Sequence, residues 1–452
     1  MNLISDPWIP TPNGVVSLHE AFFCDSVSWG RGDWDSATLQ ILIGLVQSLI
    51  VVDEEFCEEE SDWRSLCSQP PPDLRARLQQ FEEYFSGRVF EDSSPFKDVP
   101  TVEISLLQPE SPKGNTINLS KDIGQWWENR ETLLTEAEAR IALYSDSIWG
   151  MGIGAGYLQG PLGGSRMWTF VEPERKCNLW ERVCLNVLPR NKWIVEYGEQ
   201  AFVPDKVFPW LAPLTERIVT PLDLHSLAIY WAIPRRNQLE IVEGHVKSYR
   251  RVKGGLKFEG WKHPLCPYRI KESGEQVGVV ISPGHIGFGD WAGLATLFDK
   301  NVRPSMLVNE HLENRSYDQE LRLRCVGWAA KSAEAYAWIE RTFPVVVGIE
   351  PELVNDLLDT AFDCRKILGS AVSAAMKSAA GNDQISGIVK RVQGELFAKT
   401  ELEFFRRVQE SDDSGWREFL KRTAVDLFDR IVGDFSCRPQ YLYKSRSKLL
   451  QW

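Results

Sequence analysis

Residues 149–164 read WGMGIGAGYLQGPLGG, and this glycine-rich stretch decides how the rest of the chain is arranged. Glycine at alternate positions from Gly150 to Gly156 removes the Cβ atoms that would hold another surface away, and glycine readily adopts φ > 0. Such a stretch either turns tightly or lets another surface lie against bare backbone.

The order of elements around the stretch argues against a phosphate-binding loop. Residues 150–155 fit the loose dinucleotide pattern that ends in Ala, but that loop must follow a strand and open a helix. Here Thr135 and Glu138 predict a capping box that starts a helix before the glycines, and residues 167–171 predict a strand after them. Two interpretations remain open: a structural hairpin or crossover, and a backbone surface offered to a groove or ligand.

The composition is that of a globular protein with more than one core. The chain has 452 residues, of which 43% are hydrophobic and 25% are charged, so two domains, or one large domain with an appendage, are expected. The net charge of -12 argues against non-specific nucleic-acid binding by the whole surface. It leaves room for a local basic patch.

Residues that bind metals or catalyse reactions are scattered. The nine cysteines contain no Cys-x-x-Cys pair, and the six histidines contain no pair at metal-ligand spacing. We therefore expect free thiols in a reducing cytoplasm, no metal, no cofactor and no enzymatic activity. The first ten residues have no basic region followed by an apolar core, so we expect no secretion signal.

Hydrophobic periodicity predicts an α+β fold, with a large irregular mixed domain over residues 1–345 and a four-helix bundle over residues 346–452. In the first domain, residues 37–52 predict a helix that is apolar on nearly all sides, which favours a buried core helix over a membrane span. Residues 277–281 predict the clearest strand. In the second domain, apolar residues recur at helical spacing in three segments, and a shorter fourth segment begins at Cys437.

Positive charge is concentrated in one segment. Between Arg235 and Glu275 ten Lys or Arg residues stand against five acids, and Tyr249, Phe258 and Trp261 are interleaved with them. Cations with aromatic residues suit contact with a nucleic-acid backbone. An ordinary hairpin with a charged outer face fits the same pattern.

The first ten residues, MNLISDPWIP, and the glycine-rich stretch are the most specific of several segments that together resemble one family. The other segments are residues 94–96, 169–171, 185–190, 229–231 and 260–264. Over essentially the whole chain they resemble CasA, the large subunit of the type I-E CRISPR Cascade complex. A mixed domain followed by a four-helix bundle is also that family's architecture.

The resemblance implies a non-catalytic subunit that recognises the short motif beside the DNA target (the PAM) and starts strand separation. It places the backbone of residues 152–155, comprising Gly152, Ile153, Gly154 and Ala155, against the minor groove of the PAM duplex. In the family a lysine from a hairpin also contacts the PAM, and Arg250, Arg251 or Lys253 would stand in for it here.

Two further regions follow from the resemblance. A polar loop around Asn115 and Asn118 would face the guide RNA and the PAM. A wedge at the start of a helix would open the duplex; the family's wedge usually carries a Gln, and Lys331 and Ser332 are the nearest candidates here. The cysteine-rich zinc knuckle of some members is missing.

The implied partners are the other Cascade subunits (backbone, small subunit and 5′-handle-binding subunit), the crRNA, double-stranded target DNA and a recruited or fused nuclease, with no membrane. The alternative is a purely structural assembly subunit whose glycine-rich stretch only turns the chain. A nucleotide-dependent enzyme built on residues 150–152 is a third, weaker hypothesis.

Overall fold

The computed structural model describes residues 1–107, 133–151, 156–281, 286–296, 301–313, 320–331, 334–346, 348, 350–377, 381–435 and 437–452. The chain divides into two compact units. The first comprises Met1–Pro283, Ser305–His311 and Tyr317–Thr342, and the second comprises Gly284–Pro304, Leu312–Ser316 and Phe343–Trp452. Two short segments that precede residue 345 therefore group with the C-terminal helices.

Helices make up most of the regular structure. In chain order they are α1 (Leu18–Ala21), α2 (Gly32–Val52), α3 (Glu60–Ser68), α4 (Leu74–Gln79), α5 (Glu136–Trp149), α6 (Leu179–Cys184), α7 (Arg190–Tyr197), α8 (Pro204–Val207), α9 (Phe288–Ala295), α10 (Met306–Glu313), α11 (Pro351–Met376), α12 (Asn382–Glu410), α13 (Trp416–Gly433) and α14 (Pro439–Gln451).

The strands are short except for two neighbouring pairs. They are β1 (Ile9–Thr11), β2 (Gly14–Val16), β3 (Thr101–Glu103), β4 (Leu134–Thr135), β5 (Trp168–Pro173), β6 (Arg217–Val219), β7 (Arg236–Val242), β8 (His245–Val252), β9 (Leu256–Phe258), β10 (Tyr268–Ile270), β11 (Gln276–Gly278), β12 (Val302–Arg303), β13 (Leu321–Lys331) and β14 (Glu334–Val345).

Strand β8 is the centre of the sheet that carries the basic segment. It pairs antiparallel with β7 on one edge and with β3 and β4 on the other. A second sheet has the order β14-β13-β5, with Cys325 of β13 opposite Thr169 of β5. The mixed α+β class expected from the sequence is confirmed.

Helix α2 forms the centre of the first unit. It is the one described helix long and apolar enough to cross a membrane, and 83% of its most apolar window is buried inside the protein. Its polar side chains have partners: Gln47 bonds both backbone groups of Leu188, and Gln40 accepts a hydrogen bond from the Trp168 indole at 2.6 Å. The predicted core helix is confirmed, and it begins at Gly32 rather than near residue 37.

Helix α5 leads directly into the glycine-rich stretch. The Thr135 amide donates to the Glu138 carboxylate at 2.7 Å, and the Glu138 amide donates to the Thr135 hydroxyl at 3.2 Å, so the predicted capping box is present. Because α5 precedes the glycines and β5 follows them, the stretch does not have the strand-loop-helix order of a dinucleotide site.

The second unit contains the predicted four-helix bundle, formed by α11, α12, α13 and α14. Its interior is apolar and aromatic. The Trp416 indole donates to the Leu357 carbonyl at 2.9 Å, and Phe404 stacks on Phe288 of α9 with centroids 4.4 Å apart. The helical periodicity of the C-terminal sequence was therefore a sound guide.

Two sequence-based expectations need correction. The start of a helix was expected at Lys331 and Ser332, whereas Lys331 ends β13 and Glu334 begins β14; Ser332 lies outside the described residues. The strand expected over residues 277–281 is limited to Gln276–Gly278, with one isolated bridge from Val280 to Arg166.

Candidate nucleic-acid interface

The two ends of the glycine-rich stretch meet in a narrow neck, defined here as residues 150–151 and 158–160. The Gly160 amide donates to the Gly150 carbonyl at 3.1 Å. A Cβ atom on Gly160 would overlap the Ile148 carbonyl oxygen, and one on Gly150 would overlap that of Asp146. The two passes of backbone are thus packed directly on each other, which only glycine allows.

The Arg235 side chain forms hydrogen bonds to both sides of this neck. Its guanidinium donates to the Asp146 carboxylate at the end of α5, to the Met151 carbonyl on one side of the neck, and to the Leu158 carbonyl on the other at 2.6 Å. Arg235 is 3% exposed and Asp146 is fully buried. A charged hydrogen-bond network with so little water around it holds its members in fixed positions.

The end of strand β8 lies against the same stretch. The Gly254 amide donates to the Gly156 carbonyl at 2.9 Å, and Gly156 has φ of +88°. A Cβ atom on Gly156 would stand 3.1 Å from the Cδ atom of Lys253, so the lysine stem runs along bare backbone. The structure thus places Lys253 directly beside the stretch.

Arg251 takes a different position from Lys253. Its side chain is 6% exposed, with the guanidinium carbon 4.9 Å from the Tyr249 ring and 5.7 Å from the Tyr157 ring. One of its nitrogens is 3.9 Å from the Asp146 carboxylate. Burial raises the pKa of the Tyr249 hydroxyl above its usual range, so this ring stays neutral beneath the cation.

Arg250 projects away from this cluster because side chains alternate along a strand. Its side chain is 38% exposed and forms an ion pair of 2.5 Å with Glu240 across the β7–β8 ladder. The structure therefore brings Lys253 to the glycine-rich stretch, buries Arg251 beneath it and holds Arg250 apart from both.

The other predicted site residues lie outside the described part of the chain. These are Gly152, Ile153, Gly154 and Ala155 in the glycine-rich stretch, Asn115 and Asn118 in the polar loop, and Ser332 in the expected wedge. Lys331 is the last residue of β13, and its side chain also lies outside the description.

Sequence reasoning missed the inward direction of Arg235 and the part played by Asp146. Arg235 was counted among the cations of the basic segment, whereas it is buried in an ion pair. No local signal separates it from Arg236, which is 22% exposed at its side chain. The contact joins residues 89 positions apart, and such pairing is invisible to local pattern analysis.

Metal-ligating side chains and thiols are dispersed in the described residues. Within them, no group of three or more His, Cys, Asp or Glu side chains could hold a metal ion. The nine cysteines are free thiols, and seven of them are buried. Burial raises the pKa of the Cys57 thiol to about 12, which keeps it protonated and unreactive.

Comparison with known proteins agrees with this architecture. The family model described as CRISPR-associated protein Cse1 matches residues 2–427. Among solved structures, CasA of Thermus thermophilus is 15% identical with a TM-score of 0.75, covering 100% of this chain and 98% of that chain. Thermobifida fusca Cse1 is 16% identical with a TM-score of 0.72, covering 100% and 96%.

A third similar chain belongs to a structure described as a CRISPR RNA-guided surveillance complex. It is 16% identical with a TM-score of 0.76, and the match covers 100% of this chain and 99% of that one. No curated protein matches this sequence. Because the family model spans nearly the whole chain, the protein belongs to the CRISPR-associated protein Cse1 family.

Proposed function

We propose that this protein is the large, non-catalytic subunit of a type I-E Cascade complex, and that it reads the PAM of double-stranded DNA through the glycine-rich stretch and nearby cations. The observation that carries the proposal is the contact of Lys253 and Gly254 with Gly156. A cation and a segment of bare backbone are thereby presented at one place.

Bare backbone is well suited to the minor groove. That groove is only about 6 Å wide and offers few distinguishing groups, so close approach matters more than a large set of side chains. Residues 152–155 would lie in the groove, and Lys253 would neutralise a phosphate at its edge. The lysine supplies affinity that does not depend on sequence, while the backbone supplies register.

The other cations have different parts in this proposal. Arg251 is too buried to reach a phosphate, so we assign it to the support of the stretch. Arg250 is half-exposed and would have to leave Glu240 before it met DNA, which makes it a secondary contact. Strand opening would fall to Lys331, at the end of β13, and to Ser332, which follows it in the sequence.

The proposed partners follow from the family and from the similarity to a chain of an RNA-guided surveillance complex. They are crRNA, the backbone, small and 5′-handle-binding subunits of Cascade, the target duplex, and a nuclease that is recruited or fused. In such a system base pairing with the guide reads the target sequence, and the protein reads only the adjacent motif.

A purely structural subunit is the second candidate. The specific observation in its favour is the neck, where contacts within the protein already require glycine at positions 150 and 160. These two glycines are therefore explained without any contact with DNA. The two candidates differ in what they expect of residues 152–155.

The deciding experiment places a side chain in the stretch. Gly154→Val in the reconstituted complex should leave assembly intact and should weaken binding of PAM-bearing duplex by at least about tenfold. Target mismatched across the protospacer should bind nearly as the parent does, because it does not need PAM-driven melting. Gly387→Val is the matched control, since a Cβ atom at this exposed helical glycine meets nothing within 4 Å.

If Gly154→Val assembles and binds PAM-bearing duplex as the parent does, the stretch is only a turn and the structural candidate is favoured. If both valine variants lose binding equally, the loss reflects assembly and not the groove. Metal-dependent cleavage of DNA by the purified subunit would contradict the non-catalytic part of the proposal.

A further inference from the structure

We infer that Arg235 is the positioning residue of the glycine-rich stretch, because it holds the two sides of the neck together at Met151 and Leu158. The inference rests on the proposed function, because it states how the groove-reading backbone is held. It assigns no DNA contact to Arg235, which is 3% exposed.

The geometry of one side chain carries this inference. The three acceptors of the guanidinium are the Asp146 carboxylate, the Met151 carbonyl and the Leu158 carbonyl. Met151 and Leu158 flank residues 152–157, so a single planar group closes this segment at its base. Glycine loses more conformational freedom on ordering than any other residue, and a short glycine segment therefore needs such a closure.

Arg235 is itself held by the strand that presents Lys253. Gly255 has φ of +134°, and a Cβ atom there would overlap the Pro234 carbonyl oxygen. The backbone at Pro234 and Arg235 therefore packs against the end of β8, next to Gly254. The segment that carries Lys253 is therefore connected to the neck in two ways. It packs against the backbone next to Arg235, and its Gly254 amide donates a hydrogen bond to the Gly156 carbonyl.

The charges of the cluster are paired within the protein. Two guanidinium groups, of Arg235 and Arg251, face the single carboxylate of Asp146 at its two oxygens. A second carboxylate, that of Glu216, lies 2.8 Å from the position that a Cβ atom on Gly254 would occupy. Two arginines and two carboxylates therefore lie around the neck, which suits a supporting role for Arg235.

Arginine is required because a lysine cannot replace three divergent bonds. A lysine ammonium at position 235 can keep the ion pair with Asp146, but its single nitrogen cannot also span Met151 and Leu158. Arg235→Lys therefore separates the loss of positioning from the loss of charge.

The test compares Arg235→Lys with Arg140→Lys. Arg140 is also buried, at 2% exposed, and also ion-paired, to Glu91 and Glu136, but these partners lie outside the stretch. In the full chain, Arg235→Lys should speed amide hydrogen exchange at Gly160 and Gly254 by about tenfold or more, and Arg140→Lys should not. In the reconstituted complex, only Arg235→Lys should weaken the binding of PAM-bearing duplex more than the binding of pre-opened target.

Each outcome bears on the inference separately from the proposed function. Unchanged exchange at Gly160 and Gly254 in Arg235→Lys would overturn the positioning role, whatever the DNA result. Equal effects of both lysine variants on exchange and on binding would reduce Arg235 to an ordinary stabilising ion pair. Faster amide exchange with unchanged PAM discrimination would support the positioning role and contradict the groove-reading function. Unchanged binding of PAM-bearing duplex by Gly154→Val would also contradict the groove-reading function.

Discussion

The amide of Gly254 donates a 2.9 Å hydrogen bond to the carbonyl of Gly156, and this bond joins the basic strand to the glycine-rich stretch. The residues are 98 positions apart in sequence. Two features that the sequence offered separately, a row of cations and a row of glycines, therefore meet at one place. Substitutions there distinguish the side chains that are proposed to contact DNA from those that support the fold.

Lys253 is expected to contact a phosphate. Lys253→Ala in the complex should weaken binding to PAM-bearing and PAM-scrambled duplexes alike and lower the salt slope of binding by roughly one unit. Lys257→Ala is the control, because Lys257 is 58% exposed at its side chain and is paired with Glu259. An unaltered slope for Lys253→Ala would remove this residue from the interface.

Arg251 and Arg250 should behave in opposite ways. Arg251→Met removes a buried cation from two aromatic rings and from the Asp146 carboxylate, so the free energy of unfolding should fall by about 2 kcal/mol. Arg250→Met breaks a partly exposed pair with Glu240 and should cost less than about 1 kcal/mol. Urea denaturation of the purified chain measures both; equal losses would show that the burial of Arg251 does not matter.

Gly160 is expected to be intolerant of any side chain. Gly160→Ala places a methyl group on the Ile148 carbonyl, and we expect a loss of about 3 kcal/mol in the free energy of unfolding. Gly387→Ala, at an exposed helical site with open space, should instead be neutral or stabilise by up to about 1 kcal/mol. Thermal unfolding of the two variants beside the parent gives the comparison, and a Gly160→Ala protein as stable as the parent would mean that the neck is loose.

Asp35 should make stability depend on pH. Burial raises the pKa of its carboxyl from the ordinary 3.8 to about 6, although the Trp29 amide that donates to it acts in the other direction. The folded chain then keeps a proton that the unfolded chain has already released, so stability is lost as pH rises from about 4 to about 6.

Asp35→Asn keeps an acceptor for the Trp29 amide and removes the charge. It should flatten this part of the pH profile and stabilise the protein at pH 7 by about 1 kcal/mol, a figure reduced for the partial exposure of the group. The control is Asp25→Asn, whose side chain is 57% exposed. The measurement is the change in thermal midpoint between pH 4 and pH 7. If Asp35→Asn and Asp25→Asn show the same change, the prediction is contradicted.

Local signals allowed much of the fold to be predicted. The capping box at Thr135 and Glu138, the apolar helix α2 and the periodicity of the bundle depend on neighbours within a few residues, and each was found correctly. The strand β13 was also visible in principle, because Leu321, Leu323 and Cys325 are buried and alternate with Arg322 and Arg324. The family resemblance predicted the start of a helix at Lys331, which is instead the last residue of β13.

The candidate interface was only partly accessible to sequence reasoning. The direction of Arg251 follows from Tyr249, since residues two apart on a strand share a face. That inference required knowing that Tyr249 is buried, and the register shift beside Glu240 and Ile241 breaks the alternation earlier in the hairpin. Arg235 could not be placed at all, because its partners come from a helix and a loop that are distant in sequence.

The neck also separates two kinds of position around one short stretch. Close contacts at Gly150 and Gly160 and the positive φ at Gly156 require glycine at these positions. Substitution of these residues would therefore destabilise the fold, whatever motif the protein recognises. The contacts at Gly156 involve the stem of Lys253 and place no such demand on its charged end. Under the proposed function, adaptation to a new target motif, in nature or in a directed-evolution library, can therefore proceed at position 253 while these glycines stay constant.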